Sequence, residues 1–362
     1  MDFSKIKPSK SMAIYNKVHD LKSRGIDVIS FGVGDTHFSP PPTVLNNIND
    51  SPKDFSHYTR SKGIDSLREE LAKKYNTNTV NISITSGVKQ GLLYSLLSLE
   101  GSEVCVLEPS WLGYKATISI CNKNTTTVNL YEIDWIDKLT KSNFQILILC
   151  SPNNPNGKVF SQQEINEITS ICTKKNAWII FDNIYSLYDY SGKYKIFEYN
   201  KLIIAGGFSK SHAVTGFRIG YIVCEDKKTH TRIDLLNQNI ATCAPSISQY
   251  ALRNLANHQE AIYRYASYYK KNRNLISEKI PEFESFKPDG AFYYFVDISK
   301  FGFKSGEVFC NNILNEQKVA LVPGNAYGNF PTFVRLSFSV DREILSEGLD
   351  RLKKFLRIWK KK

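Results

Sequence analysis

The chain contains, between two apolar runs, the segment Gly206-Gly207-Phe208-Ser209-Lys210-Ser211-His212-Ala213-Val214-Thr215-Gly216-Phe217-Arg218-Ile219-Gly220-Tyr221. Its glycine-rich frame joins a lone lysine, Lys210, to a neighbouring hydroxyl, Ser209, and to an arginine eight positions later, Arg218. Taken singly, these residues read as a surface lysine, a loop serine and a salt-bridging arginine. The segment therefore has to be interpreted together with the rest of the sequence.

On both sides of this segment, short apolar runs alternate with amphipathic stretches, which is typical of an α/β layer architecture. The runs are continuous and rich in Ile and Val, as expected of strands that are buried on both faces of a sheet. They cover residues 80–85, 104–107, 146–150, 178–181, 202–205 and 219–224.

Helices are predicted between these strands, and the patterns Ser66-x-x-Glu69 and Ser161-x-x-Glu164 are each interpreted as a capping box that opens one. Beyond Pro245 a long helical run extends to about Lys279, followed by a shorter mixture of strands and helices. We expect an N-terminal segment (1–45) that joins a small domain, a large domain (46–264), and a C-terminal small domain (265–362).

Length and composition exclude several classes of protein. With 362 residues, 42% hydrophobic and 23% charged, the chain is in the globular range and is long enough for two domains. No segment approaches the roughly 18 apolar residues of a membrane span, so we expect no membrane association and a cytoplasmic location. The net charge of +12 is spread along the chain apart from a basic tail, and we expect no nucleic-acid partner.

Metal binding is also not expected. The seven cysteines are scattered without a CxxC pair, and the six histidines show no HxxxH spacing with an acid between them. We therefore interpret the cysteines as reduced core thiols and predict no metal ligand.

The segment that contains Lys210 closely resembles the lysine motif of the class I/II aminotransferases, pyridoxal-phosphate enzymes of fold type I related to aspartate aminotransferase. The resemblance implies a large domain with a mostly parallel mixed sheet flanked by helices, plus a smaller α+β domain. It also implies that Lys210 is the catalytic residue, which forms a Schiff base with pyridoxal 5'-phosphate, and that Ser209 and Arg218 hold the cofactor phosphate.

Further motifs fit the same resemblance and imply more cofactor contacts. Asp182 ends a predicted strand and would pair with the pyridine nitrogen, and Tyr185 and Asn154 would donate to the phenolic oxygen. The turn at Gly87, Val88 and Lys89 would bind the phosphate through backbone N–H groups at a helix N-terminus. Trp111 matches the aromatic residue that stacks on the ring, with an ordinary core tryptophan as the alternative.

The substrate and the partner subunit are implied in the same way. Arg335, in Val334-Arg335-Leu336-Ser337-Phe338, would bind the α-carboxylate as a bidentate fork, with Gly34 and Asn154 beside it. Tyr58 resembles the tyrosine that reaches the phosphate of a neighbouring subunit, which implies a homodimer. His37 departs from the acidic residue usual at its position.

The function implied is transfer of an amino group between an L-amino acid and a 2-oxo acid by a ping-pong mechanism. Glutamate and 2-oxoglutarate are expected as one substrate pair, because enzymes of the family that the chain resembles commonly use them. Two alternatives share the same motifs: a carbon–sulfur lyase or aminocyclopropane carboxylate synthase on the same fold, and a non-catalytic cofactor-binding sensor.

Overall fold

The structure, a computed structural model, describes residues 8, 10–50 and 53–359. Its largest feature is a seven-stranded sheet with the strand order β2-β8-β7-β6-β5-β3-β4. A three-stranded sheet, β11-β12-β9, and a two-stranded pair, β1-β10, complete the β-structure of this part of the chain. The strands are β1 (Ile29–Ser30), β2 (Ile82–Thr85), β3 (Glu103–Glu108), β4 (Asn124–Asn129), β5 (Ile146–Cys150), β6 (Trp178–Asp182), β7 (Leu202–Gly207), β8 (Gly220–Cys224), β9 (Tyr293–Asp297), β10 (Val319–Ala320), β11 (Val322–Pro323) and β12 (Phe333–Ser337).

Helices pack on the sheets and connect their strands. None of the described helices combines the length and the apolar character that crossing a membrane requires. The helices are α1 (Lys10–Ser23), α2 (Pro42–Asn49), α3 (Asp65–Tyr75), α4 (Val88–Ser98), α5 (Gly113–Ile120), α6 (Trp135–Lys141), α7 (Gln162–Lys174), α8 (Lys227–Ile240), α9 (Ser246–Ala251), α10 (Gln259–Lys279), α11 (Gly306–Gln317) and α12 (Arg342–Trp359).

The large sheet is parallel except for β8, which is antiparallel to both of its neighbours. The residue pairs Leu147↔Ile179 and Ile179↔Leu202 set the register of β5, β6 and β7 at the centre. Because β2 and β7 flank the reversed strand, they run in the same direction as the rest of the sheet. The carboxyl ends of six strands therefore lie along one edge, where α/β sheets bind ligands.

Both faces of the large sheet are covered, which explains why its strands are continuous apolar runs. Alternate residues of one strand point to opposite faces. On β6, Ile180 belongs to the hydrophobic core on one face, and Ile179 and Phe181 belong to the core on the other. The α/β prediction and all six predicted central strands are confirmed, with shifts of at most two residues at their ends.

The N-terminal segment pairs with the C-terminal part of the chain. β1 forms a parallel pair with β10, and Phe31 N–H donates to the Ala320 carbonyl at 2.9 Å. The β11-β12-β9 sheet is antiparallel and lies beside α10, α11 and α12 in sequence. These pairings are consistent with the proposed division into an N-terminal segment (1–45), a large domain (46–264) and a small domain (265–362). The proposed boundary at residue 265 falls inside α10.

Three local expectations differ from the structure. Ser161 forms the predicted capping box with Glu164, but Ser66 lies inside α3, whose N-cap position is Ile64 without a side-chain cap. The predicted strand 80–85 begins only at Ile82, because Thr79–Asn81 forms a short 3-10 turn. The long helical run after Pro245 is interrupted between α9 and α10.

A core substitution tests the placement of β6 in the sheet interior. Ile180 is 0% exposed, so Ile180→Ala should leave a cavity and lower the free energy of unfolding by about 2–5 kcal/mol. Ile133, whose side chain is fully exposed at 105%, provides the control. Ile133→Ala should change the free energy of unfolding by less than about 0.5 kcal/mol. Urea titration followed by circular dichroism measures both variants. Equal destabilisation by the two substitutions would contradict this placement.

Candidate active site

A cavity of about 440 Å³ opens at the carboxyl edge of the large sheet. Eleven of the thirteen residues predicted for the site line it directly. The wall also includes residues that had no predicted role, namely Gly32, Val33, Asp35, Tyr114, Thr215, Tyr293 and Tyr327. The predicted residues in the lining are Gly34, Val88, Lys89, Trp111, Asn154, Asp182, Tyr185, Ser209 and Lys210, together with Arg218 and Arg335.

 Of the two other predicted residues, Gly87 adjoins the cavity beside Val88, and Tyr58 lies elsewhere.

The sheet explains why residues so distant in sequence meet here. Asn154 follows the end of β5, Asp182 is the last residue of β6, and Lys210 lies three residues beyond β7. These strands are parallel neighbours, so their carboxyl ends are adjacent at the edge of the sheet. The apolar runs that form the strands thus place an amide, a carboxylate and an amine around one space.

Lys210 lies on the cavity wall, where its Nζ donates a hydrogen bond to the Gly34 carbonyl at 2.6 Å. Its own backbone carbonyl accepts from the Tyr188 hydroxyl at 2.8 Å, which fixes the start of the side chain. Desolvation lowers the pKa of Lys210 to about 8; Asp35 opposes this shift, and the cations Arg218 and Arg335 reinforce it. At pH 7 roughly one amine in ten is then uncharged and nucleophilic.

Asp182 is a buried carboxylate at one end of the cavity. Its Oδ2 accepts from the Tyr114 hydroxyl at 2.6 Å, and its Oδ1 accepts from the Ile184 N–H at 3.2 Å. Burial raises the pKa of Asp182 to about 6, although both hydrogen bonds act in the opposite direction. Among the described residues no lysine or arginine forms an ion pair with it. A buried acid of this kind favours a ligand that brings a cationic or protonated group.

The opposite end of the cavity attracts anions. Helix α4 begins at Val88 without a side-chain cap, so its first N–H groups have no partner within the helix, and its first residues, Val88 and Lys89, line the cavity. Arg218 lies at the cavity mouth, and its Nη1 donates to the Thr215 carbonyl at 2.9 Å. Gly87 has a φ of +83°, a conformation that favours glycine at this turn, and a Cβ there would be 2.8 Å from Arg218 Nη2, so the turn lies beside the guanidinium. Ser209 lines the cavity nearby with a hydroxyl.

Arg335 is a third cationic group, and it is only 3% exposed. Its Nη1 donates to Asn154 Oδ1 at 3.0 Å, and its Nη2 donates to the Gly32 carbonyl at 2.7 Å. The guanidinium lies over the rings of Tyr293 and Tyr327, at 4.3 and 4.9 Å from their centroids. Its Nε is buried and has no hydrogen-bond partner among the described residues. The fork therefore has donor capacity available for a carboxylate.

Aromatic residues form the remaining walls. Trp111 is half-buried. It lines the cavity, as a residue that stacks on a ligand ring would, and it also packs against the core, as an ordinary core tryptophan would. Lys89 lies 5.7 Å from the Trp111 ring centroid. The Tyr185 hydroxyl lies 2.8 Å from the Tyr293 hydroxyl, and burial raises the pKa of Tyr185 well above its usual value.

The structure does not bring Tyr58 into this cavity; its side chain is 84% exposed. Conversely, sequence reasoning assigned no role to Tyr114, Tyr293 or Asp35, which contact or border the predicted groups. Tyr114 stands in the same short motif as Trp111, so proximity in sequence was the one signal that could have indicated it. Asp35 likewise directly follows the predicted Gly34, whereas Tyr293 reaches the site because β9 pairs with β12, the strand of Arg335.

The whole chain was compared with known proteins. Residues 26–352 match the profile of the family described as aminotransferase class I and II. The chain belongs to this family. The aminotransferase is 30% identical to the aspartate aminotransferase of Thermotoga maritima, across 98% of each chain. It is 31% identical to a probable aspartate/prephenate aminotransferase of Aquifex aeolicus, across 98% of its own length and 97% of the relative.

The fold agrees with this assignment. The crystal structure of the Thermotoga maritima aspartate aminotransferase superposes on the aminotransferase with a TM-score of 0.89 at 28% identity, covering 98% of this chain and 99% of that one. The prediction of fold type I and the prediction of an aminotransferase are therefore confirmed. The comparisons do not favour the lyase, cyclase or sensor alternatives.

The lowered pKa of Lys210 leads to a test on the cofactor-free aminotransferase. Competitive labelling with acetic anhydride across a pH series, followed by mass mapping, should give a Lys210 midpoint near pH 8, because its surroundings disfavour the charged form. Lys270, an exposed lysine of α10 in the same digest, provides the reference. A Lys210 midpoint at the ordinary lysine value of 10.5 would contradict the electrostatic argument.

Proposed function

We propose that this aminotransferase uses pyridoxal 5'-phosphate, held covalently by Lys210, to move an amino group between an L-amino acid and a 2-oxo acid. The observation that carries the proposal is the polarity of the cavity around Lys210. A buried carboxylate, which has no ion-pair partner among the described residues, lies in one part of the wall, and an exposed arginine beside an uncapped helix N-terminus lies in another. A flat ring with a protonated nitrogen and an anionic arm matches both ends.

The residues present fit this cofactor. Asp182 would pair with the protonated ring nitrogen, because no cation of the described residues already satisfies it. Ser209, Arg218 and the N–H groups of Gly87, Val88 and Lys89 would hold the phosphate. Tyr185 and Asn154 would contact the phenolic oxygen, and Trp111 would lie against the ring.

When bound, the cofactor supplies an electron sink that makes the Cα proton of an amino acid acidic. Within the chain, Lys210 Nζ is the group suited to move that proton. In its neutral form the amine would remove the proton from the substrate Cα, and in its charged form it would give a proton to the cofactor carbon that takes up the amino group. A pKa near 8 keeps both forms accessible near neutral pH.

Arg335 would bind the α-carboxylate of both substrates. The Nε, which has no hydrogen-bond partner among the described residues, and a terminal nitrogen of its guanidinium would donate to the two carboxylate oxygens, and the rings of Tyr293 and Tyr327 lie against the guanidinium. Gly34 and Asn154 would complete this subsite. Relatives named for aspartate and prephenate support amino acids and 2-oxo acids as the substrate class.

We further propose a cytoplasmic homodimer. The exposed Tyr58 is available to a second copy of the chain, where it would reach the phosphate end of the partner's cavity. All seven cysteines are free, in keeping with a reducing compartment.

Replacement of the lysine tests the proposed function. The holoenzyme is incubated with single amino acids, and pyridoxamine phosphate and 2-oxo acid are measured by absorbance and mass spectrometry. Lys210→Ala should lower steady-state transamination by at least about 1000-fold, since both the covalent link and the proton carrier are removed. Lys270→Ala, on the exposed face of α10, should retain wild-type turnover.

Two results would count against the proposal. Wild-type turnover in Lys210→Ala would exclude this lysine as the nucleophile. Release of pyruvate and ammonia from cysteine-type substrates, without pyridoxamine phosphate, would show elimination in place of transfer.

Replacement of the arginine tests the substrate subsite separately. Arg335→Leu should raise KM for every amino acid tested by roughly 10- to 100-fold, because a charge-assisted pair with the carboxylate is lost. Arg351→Leu is the matched control, since Arg351 forms surface ion pairs with Asp27 and Glu347. Steady-state kinetics with saturating cofactor measures both. An unchanged KM in Arg335→Leu would mean that another group binds the carboxylate.

A further inference from the structure

One irregular segment contacts both the lysine and the carboxylate-binding arginine. This segment, residues 31–39, follows β1 and is called the strap below. Its Gly34 carbonyl accepts from Lys210 Nζ at 2.6 Å, and its Gly32 carbonyl accepts from Arg335 Nη2 at 2.7 Å. The strap therefore determines where the Gly32 and Gly34 carbonyl groups, and the backbone between them, lie on the cavity wall.

The strap is anchored on both sides of these carbonyls. At its start, Ser337 N–H donates to the Phe31 carbonyl at 2.8 Å. Beyond Gly34, the Ser339 hydroxyl donates to the Asp35 carbonyl, and the Thr215 hydroxyl donates to the Asp35 carboxylate at 3.1 Å. The first anchor is part of a backbone ladder next to β12, whereas the later anchors depend on side chains.

Tyr269 of α10 supplies the most buried of the side-chain anchors. It is 0% exposed, and its hydroxyl accepts from the His37 N–H at 3.2 Å. The same hydroxyl lies 3.0 Å from His37 Nδ1 and 3.5 Å from the Ser339 carbonyl. When Nδ1 carries no proton, the single phenolic hydrogen can be donated to it. One hydroxyl thus binds both the backbone and the side chain of His37.

Ring contacts also hold the strap, but they do not provide the hydrogen bonds that Tyr269 makes to His37. The Phe38 ring stacks on Tyr265 with centroids 4.2 Å apart, and the His37 ring lies 5.0 Å from that of Tyr268. The Tyr268 hydroxyl, one residue away on the same helix, donates to Asp341 and accepts from the Arg342 N–H. It makes no hydrogen bond to the strap, which distinguishes it from Tyr269.

We propose that Tyr269 is a positioning residue for substrate binding, acting through His37 and the strap. Tyr269 does not line the cavity, so any effect on the substrate has to pass through the backbone that it holds. Loosening the strap would displace Gly34 from the carboxylate subsite and the Gly32 carbonyl from Arg335. The inference rests on the proposed function, because it assigns the α-carboxylate to Arg335 and Gly34.

The test is the variant Tyr269→Phe, which removes one oxygen and keeps the ring. In the holoenzyme it should raise KM for amino acids roughly 3- to 10-fold and leave kcat within about twofold, since the hydrogen bonds lost act on binding. In the cofactor-free chain it should accelerate amide hydrogen exchange of the peptide that covers the strap. Tyr268→Phe is the matched control, and both quantities should stay at their wild-type values.

Substitutions of His37 separate positioning from packing. His37→Asn keeps an acceptor near the place of Nδ1 and should retain the wild-type KM. His37→Phe keeps a ring without an acceptor and should raise KM about two- to fivefold. In the double variant His37→Phe/Tyr269→Phe, KM should rise no further than in Tyr269→Phe alone, because both changes remove the same contact.

The outcomes are distinct. Wild-type KM and exchange in Tyr269→Phe, with an active wild-type enzyme, would overturn the positioning role and leave the proposed function intact. Equal KM rises in Tyr269→Phe and Tyr268→Phe, with equal losses of thermal stability, would also overturn it, because general destabilisation would then explain the effect. An inactive wild-type holoenzyme would contradict the proposed function, whereas the exchange result in the cofactor-free chain does not depend on activity.

Discussion

The site depends on a lysine amine held where its charge is disfavoured. Lys210 donates to a neutral carbonyl, Gly34, while desolvation, reinforced by Arg218 and Arg335, lowers its pKa. An amine in bulk water would be almost entirely charged at neutral pH and could not attack an aldehyde. The parallel strands of the large sheet make this environment possible, because they bring segments from distant parts of the chain to one edge and exclude solvent behind them.

Acidic and basic side chains lie in different parts of the cavity wall, and this arrangement orients a ligand. The acid Asp182 lies at the buried end, and Arg218 lies at the mouth beside the α4 N-terminus. A ligand that is cationic at one end and anionic at the other has one favourable orientation, which directs its remaining face toward Lys210. Arg335 is held by a different sheet, so binding of the substrate carboxylate is structurally separate from binding of the anionic arm.

Sequence reasoning succeeded where the information is local. The central strands follow from apolar runs, and the residues around Lys210 follow from one contiguous motif. It did not predict contacts between distant positions: Tyr114, which had no predicted role, donates to Asp182 across 68 positions, and Lys210 donates to the Gly34 carbonyl across 176. The pattern at Ser66 matched a capping box, but Gln249 binds the Ile64 N–H from another part of the chain. Strand β4 was not predicted because it is a polar edge strand, exposed along much of its length.

The pairing of the chain's two ends has a consequence for biosynthesis. Arg335 and Gly32 are separated by 303 positions, and β1 pairs with β10. During translation the large sheet can form while the ribosome still holds the later residues, but the cavity lacks a wall until the final segments emerge. A nascent chain therefore carries its reactive amine before it can recognise a substrate, and synthesis of the segment that contains β10 and Arg335 is the step that turns a folded scaffold into a selective enzyme.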